Sequence, residues 1–424
     1  MERTTYKING LNVTLIKTDK FKTTDFVLNF RQKLDPNTVT SRALVPYVLK
    51  ARTKKYPSKK AINQKLEELY GASFGVSINK QGLLHILSLR MSIINERYLT
   101  TQVNLLEEAL AFFQEIIFNP ELENGAFLEK VVNEEKRLLK EEFEALFDDK
   151  IRYSYHKLIE IMCKEENYRI KSIGRLEDLD NIDHKNLYAT YQKILNEDTI
   201  DLLMIGDIDF NYVKSLIEKY LPFKDRKEIQ EVADTQTKEI RTVEKVVEVK
   251  DVSQAKLNIG FRTNTTGIDP DYYPLILLNA MLGVYPHSLL FRNVREKESL
   301  CYYIASNIDK GKGIMVIYAG INHQDYQKAY DLIIKQLKTI KKGDFDDSLI
   351  ENSRKALIND LLQTNDNTLA FLASEYSHHL FNEIFDTEQI IKKINAVTKS
   401  DIEKVAQKIE EDTVFLLTSE EVSN

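Results

Sequence analysis

The sequence predicts an α+β protein made of two similar domains, each an antiparallel sheet with helices packed on one face. Three observations lead to this fold class. The chain has 424 residues, more than a single hydrophobic core usually serves. One segment of the chain resembles a later one, which indicates an internal repeat. Predicted strands and helices are grouped rather than strictly alternating, and this grouping favours antiparallel sheets.

The repeat is clearest at the end of each half. Leu187 aligns with Ile402, and Gln192 aligns with Gln407. In both copies, apolar residues at helical spacing precede an Asp-Thr pair and a short apolar run. Each copy is therefore predicted to be a helix followed by a strand.

The beginnings of the two halves are also alike. Residues 12–33 and 246–264 each indicate two strands joined by a polar turn. Long amphipathic helices follow in both halves. They are predicted over residues 101–120, 127–147, 325–343 and 347–364.

The connection between the halves is charged and poor in apolar residues, which indicates a linker over 224–239. We therefore predict an N-terminal domain over residues 1–223 and a C-terminal domain over 240–424.

Composition narrows the class of protein. Hydrophobic residues make up 43% of the chain and charged residues 29%, as in ordinary globular proteins. The net charge of -6 argues against a dedicated nucleic-acid binder, because phosphate contacts usually need an excess of basic residues. Two cysteines, Cys163 and Cys301, are too few for a disulfide framework and indicate a reducing compartment. The sequence shows no apolar leader and no run of 18 apolar residues, so we expect a cytoplasmic protein without a membrane anchor.

The most informative stretch lies in the second half, between Leu278 and Ile321. It contains Leu282-Gly283, Ser288-Leu289-Leu290-Phe291, Arg295-Glu296-Lys297 and Leu300-Cys301-Tyr302. With these residues the chain resembles the insulinase or pitrilysin type of zinc peptidase, which includes the mitochondrial processing peptidases. The resemblance implies the family's doubled α+β unit, one half of a metallopeptidase clamshell. The repeat supports it independently.

The family's zinc motif, His-x-x-Glu-His on an early helix, is missing. That motif places two histidine ligands on one helical face, with the glutamate as general base. The corresponding helix is predicted over Ser41–Ser58, and it has neither histidine nor glutamate. Glu134 or Glu135 could occupy the place of the family's third ligand, but a lone carboxylate does not hold zinc. His85 is predicted to be a satisfied core or edge histidine. We therefore expect no metal or other cofactor in this chain and no peptide hydrolysis by the chain alone.

Arg295 and Tyr302 match an arginine and a tyrosine that the family supplies from the half of the clamshell opposite the zinc. An arginine and a phenol can stabilise the oxyanion of the tetrahedral intermediate in zinc-assisted hydrolysis. The resemblance implies a catalytic contribution in trans, to a homologous partner subunit that carries the motif and the zinc. Judged without the resemblance, Tyr302 could simply pack in a sheet, and Arg295 could be a solvated helix residue.

A basic tract spans Lys50–Lys65, with seven basic residues and no acidic one. Four of its lysines could line an enclosed chamber and bind substrate, either an acidic peptide or another anion. They are Lys54, Lys55, Lys59 and Lys60. The alternative is a solvated face, because short charge runs usually stay in water.

The preferred hypothesis is a catalytically incomplete subunit of a heterodimeric zinc-peptidase-like complex that binds a peptide or protein. The closest resemblance is to bacterial processing-peptidase-like chains associated with elongation factor P modification, which are usually paired with a motif-bearing relative. The alternative is a purely structural or binding scaffold, like the peptidase-derived core subunits of a respiratory complex. A homodimer could form when the partner is absent. Nucleic acid and membrane are not expected as partners.

Overall fold

The computed structural model describes residues 1–100, 103–229, 233–234 and 242–419. In the first half the strands are β1 (Glu2–Ile8), β2 (Leu11–Lys17), β3 (Thr23–Lys33), β4 (Ser73–Gln81), β5 (Leu84–Ile94), β6 (Leu122–Glu123), β7 (Ala126–Phe127) and β8 (Thr199–Gly206). The helices are α1 (Val39–Ala51), α2 (Lys59–Glu68), α3 (Leu105–Phe118), α4 (Glu129–Asp148), α5 (Lys150–Met162), α6 (His184–Glu197) and α7 (Phe210–Tyr220).

The second half repeats this layout. Its strands are β9 (Glu244–Val249), β10 (Ala255–Arg262), β11 (Cys301–Asp309), β12 (Ile314–Ile321) and β13 (Glu410–Thr418). Its helices are α8 (Tyr272–Asn279), α9 (Tyr326–Lys341), α10 (Asp347–Thr364), α11 (Thr368–Leu380), α12 (Thr387–Ala396) and α13 (Lys399–Gln407). The strands and helices predicted from the sequence lie at these places. Two positions of the helix predicted over 101–120 and most of the predicted linker after residue 229 lie outside the described residues.

The two large sheets have the same strand order. The first runs β1-β2-β8-β3-β5-β4, and the second runs β9-β13-β10-β12-β11. Strands β9, β13, β10, β12 and β11 thus take the places of β2, β8, β3, β5 and β4, and the first sheet has β1 in addition. The predicted α+β fold with two similar units is confirmed.

Each sheet is mostly antiparallel but contains one parallel pair. β2 pairs with β8, and β9 pairs with β13, in parallel. In both cases the last strand of the half returns to the sheet after a series of helices, and such a long crossover is what parallel pairing requires.

One helix of each half packs on the sheet of the other half. α5 contacts β10 and β13, whereas α11 contacts β3 and β8. On α5, Leu158 and Met162 are buried in one cluster with Phe415 of β13. A side chain at Gly260 of β10 would collide with Met162, because its Cβ would lie 2.6 Å from Met162 Sδ. The two sheets are therefore joined by exchanged helices.

A buried polar cluster fixes α11 to the first sheet. Tyr376 Oη on α11 donates to Asp201 Oδ2 at 3.0 Å, and Arg31 Nε donates to the same oxygen at 2.7 Å. Burial opposes ionisation of Asp201, but a hydrogen bond from His379 and the charge and hydrogen bond of Arg31 outweigh it and lower the pKa of Asp201 to about 2. The carboxylate is therefore charged at neutral pH.

No helix among the described residues combines the length and the apolar character needed to span a membrane.

Candidate functional site

Helix α1, which lies where the zinc motif was sought, is an apolar core helix. It spans Val39–Ala51, shorter than the predicted helix over 41–58, and ten of its 13 residues are buried. The chain leaves the helix at Arg52, and Thr53 then forms a β-bridge with Pro120 of the first half. This bridge holds the chain extended after residue 51, where the sequence predicts that the helix continues.

The carboxylates of α4 that face this region are paired with protein groups. Lys59 Nζ lies 2.7 Å from Glu135 Oε1 and 3.4 Å from Glu134 Oε1. Tyr47 Oη on α1 donates to Glu142 Oε2 at 3.5 Å, and burial together with Glu142 raises the pKa of Tyr47 to about 12. The two glutamates predicted for the third-ligand place thus face an ammonium group. In the part of the chain that the structure describes, no group of three or more His, Cys, Asp or Glu could hold a metal ion.

Some residues of the basic tract form ion pairs with acidic side chains, and other lysines of the tract do not. Three of its members pair with acidic side chains, namely Arg52 with Glu121, Lys59 with Glu135 and Lys65 with Glu108. Lys54, Lys55 and Lys60 are exposed and form no ion pair with any described residue. Lys59 is therefore held by α4, and the binding of an acidic peptide by the other three lysines stays a prediction.

Arg295 lies in a π-helical segment, Phe291–Lys297. Such segments are rare and frequently occur at functional sites. The side chain of Arg295 is exposed, and its guanidinium carbon lies 4.6 Å from the centroid of the Phe291 ring. This is a cation–π geometry. Arg295 has no ion-pair partner within the described chain, so its N–H donors remain available to a ligand.

Tyr302 is the extra residue of a β-bulge at the start of β11. The residues on either side of Tyr302 pair with β12, whereas Tyr302 does not. Bulges redirect side chains, and that of Tyr302 is 62% exposed, with its hydroxyl donating to Asn322 Oδ1 at 3.2 Å. Tyr303 is half-buried and packs near the ring of Tyr318. The two neighbouring tyrosines thus differ in exposure because of a bulge as well as strand alternation.

A tight turn joins Arg295 to Tyr302. Ser299 has a φ of 52°, in the left-handed region that non-glycine residues rarely adopt. Leu300 N donates to Val294 O at 3.1 Å, and both of these side chains are buried. The turn is therefore anchored in the core, while the two candidate residues at its ends remain exposed.

Close packing behind the turn depends on Gly283. It lies in a second π-helical segment, Ala280–Val284, and a Cβ at this position would lie 2.6 Å from Ser306 Oγ and 2.7 Å from a methyl group of Leu290. Cys301, the first residue of β11, is also buried, and burial raises the pKa of its thiol to about 11. The thiol is therefore protonated at neutral pH and is not an activated nucleophile.

Sequence reasoning missed the two π-helical segments, the bulge and Asn322. A π-helical turn has apolar residues at nearly the same spacing as an α-helix, so periodicity does not reveal it. Asn322 reaches Tyr302 only because β11 and β12 pair. The one available signal was Gly283, since a glycine within a helical pattern often marks close packing.

These features define a protein with a zinc-peptidase scaffold whose early helix carries no zinc motif. Comparisons with known proteins agree. The family described as "Peptidase M16 inactive domain" matches residues 181–357. The probable inactive metalloprotease YmfF of Bacillus subtilis (strain 168) is 37% identical over 415 residues, covering 98% of this chain and 97% of YmfF.

Solved structures show the same fold. A conserved protein from Enterococcus faecalis V583 superposes with a TM-score of 0.92 at 33% identity, over 100% of both chains. A peptidase M16 inactive domain from Pseudomonas fluorescens superposes with a TM-score of 0.81 at 15% identity, again over 100% of both chains. The chain belongs to the peptidase M16 family and is an inactive homologue within it. The predicted insulinase-type resemblance is thereby confirmed.

Proposed function

We propose that this chain is the non-catalytic subunit of a heterodimeric peptidase. In this proposal Arg295 and Tyr302 bind the peptide carbonyl and stabilise its oxyanion at a zinc ion held by a homologous, motif-bearing partner. The observation that carries the proposal is the turn from Arg295 to Tyr302 in a chain whose α1 has no zinc ligands. This turn presents to solvent a phenol and a cation that has no ion-pair partner among the described residues.

The chemistry of the two side chains suits this role. A guanidinium group is charged at every physiological pH, and it has five N–H donors and no acceptor. The Tyr302 hydroxyl donates to Asn322, so it must turn away from Asn322 to donate to an oxyanion. Arg295 therefore supplies a permanent positive charge, and Tyr302 supplies a hydroxyl group that can rotate to donate a hydrogen bond to the substrate.

The basic tract supports a preference for acidic peptides, because Lys54, Lys55 and Lys60 are exposed without an ion pair to a described residue. The link to elongation factor P modification rests on the sequence resemblance and stays a prediction.

The first experiment measures peptidase activity and bound zinc for this chain, for a His-x-x-Glu-His partner from the same organism, and for the mixture. We expect full activity only in the mixture, with the zinc in the partner. If the mixture assembles but cleaves nothing with zinc in excess, the chain is a structural or binding scaffold.

Variants of the active mixture test the two residues. Arg295→Ala and Tyr302→Phe should each lower turnover about 100-fold or more, the usual cost of losing one oxyanion donor. Size-exclusion chromatography should show unchanged assembly. Arg292→Ala is the matched control, because Arg292 is an exposed arginine of the same π-helical segment. An equal loss of activity in the control, or loss of assembly in Arg295→Ala, would refute the proposed role.

A further inference from the structure

A cavity of about 310 Å³ lies between the first sheet and the exchanged helix α11. Its sheet side carries the polar residues Asn29, Ser88 and Arg90 beside the apolar residues Val27 and Ile86. On the opposite side, Leu369 and Leu372 of α11 form an apolar wall. None of the described residues that line the cavity is acidic. The cavity thus combines hydrogen-bonding groups, an aliphatic surface and an excess of positive charge.

Arg90 supplies the free positive charge of this cavity. It is exposed and forms no ion pair or hydrogen bond with a described residue. Arg90 is the register partner of Gly75 on the edge strand β4, and a Cβ on Gly75 would lie 3.1 Å from Arg90 Nε. The Arg90 guanidinium group therefore lies close to Gly75, which has no side chain to displace it. Lys80 also lines the cavity, but its ammonium group donates to the backbone oxygens of Tyr168 and Ile170.

Two further polar groups of the cavity lack protein partners. Asn29 is 2% exposed, and its Oδ1 accepts from Ser88 Oγ at 2.6 Å. Its amide nitrogen donates to no described residue. Gln81, which also lines the cavity, has a buried Oε1 that accepts no hydrogen bond. Buried polar groups are normally hydrogen-bonded, so unsatisfied ones around a cavity indicate a ligand or ordered water.

We propose that this cavity binds the side-chain carboxylate of an acidic residue in a peptide, with Arg90 and the Asn29 amide as donors. One guanidinium group balances one negative charge and can bind a carboxylate with two hydrogen bonds. The apolar wall from α11 contacts the methylene groups, which favours glutamate over aspartate. The peptide nature of the ligand rests on the proposed function, whereas the carboxylate site rests on the cavity alone.

The test uses the full chain without a partner. Methyl groups of Ile86, Leu369 and Leu372 line the cavity and report binding in ¹³C-methyl NMR spectra. The probes are N-acetyl-glutamate N-methylamide, the matching glutamine compound and free L-glutamate. We expect saturable shifts of these methyl signals with the first probe. The glutamine compound should bind at least tenfold more weakly, because hydrogen bonds to a neutral amide are weaker than hydrogen bonds to a charged carboxylate.

Arg90→Gln should weaken binding of the glutamate probe to the same extent, with the remaining spectrum unchanged. Gly75→Val gives a second test. The valine side chain would displace the Arg90 guanidinium group, so this variant should also bind the glutamate probe more weakly. Arg137→Gln is the control, because Arg137 is an exposed arginine of α4 that does not line the cavity. Equal binding of both amide compounds, unchanged binding by Arg90→Gln, or tighter binding of free glutamate would overturn the proposal. Because no partner or cleavage is involved, this result is independent of the oxyanion test.

Discussion

His85 shows how a single histidine can be structural. It is fully buried on β5, where its Nδ1 accepts from Arg42 Nε at 3.3 Å and its Nε2 donates to Ser172 O at 2.8 Å. Burial, together with the nearby charge of Arg42, lowers the pKa of His85 to about 3. The ring is therefore neutral at physiological pH, and the predicted role as a satisfied core histidine is confirmed.

This histidine should make stability depend on pH. Its folded pKa is lower than the unfolded value of about 6.5, so the unfolded state binds the extra proton. The contribution of His85 to stability is thus complete above that value and is lost as the pH falls toward 3. We expect the free energy of unfolding to drop by about 1–2 kcal/mol between pH 6.5 and pH 5 from this group. Urea unfolding of wild type and His85→Gln at both pH values measures the difference. An equally steep pH dependence in the variant would contradict the assignment.

The exchanged helices α5 and α11 are the elements that hold the two sheets together. Each comes from one half of the chain and covers a face of the sheet formed by the other half. Sequence periodicity predicted helices, but not the sheet on which each would pack. The apolar stripe of a helix can pack on any apolar surface. The sheet on which each helix packs therefore depends on contacts between residues far apart in the chain.

Removing one large side chain from α5 should affect the second sheet directly. Leu158 is fully buried against that sheet, and Leu158→Ala should lower the free energy of unfolding by about 2–5 kcal/mol. Ile151→Ala, on the same helix but with 43% of its side chain exposed, should cost far less. Urea unfolding measures both costs. Hydrogen exchange should show that the Leu158 variant loses protection in β10 as well as in α5. Loss confined to α5 would mean that the helix packs independently.

The contacts between the two halves predict that the whole molecule unfolds as a single cooperative unit. The core of the second half includes Ile16, Leu203 and Ile205 from the first half. Past the chain's midpoint, Asp234 N donates to Gly311 O, so a described part of the connection is also attached to the second half. The domain boundaries predicted from the sequence stay a prediction. The exchanged helices join the half of the chain that forms the first sheet to the half that forms the second.

Expressing the two halves as separate fragments therefore tests how much the exchanged helices stabilise the whole molecule. A fragment over residues 1–223 should expose the apolar face of α5, and one over 240–424 should expose that of α11. We expect each fragment alone to bind a hydrophobic dye and to unfold without a sharp transition, and the mixture to regain one transition. Two stable monomeric fragments with separate, sharp transitions would show that the exchange contributes little.

The sequence by itself determined the repeat and the missing zinc motif. Leu187 and Ile402 align in the sequence and are both fully buried, because local apolar spacing already selects the helix and its buried face. The absence of histidine and glutamate from α1 is a matter of residue identity, which no packing can alter. Most strands and helices followed from the same local patterns.

Only the tertiary structure decided which candidate side chains are available. Tyr302 is exposed because a bulge takes it out of the β11–β12 pairing, and Lys59 is engaged because α4 brings Glu135 within 2.7 Å. Arg90 lies over Gly75 because two strands pair in one register. Each of these outcomes depends on contacts across the chain, and their free energies are set by burial and geometry that local sequence patterns do not contain.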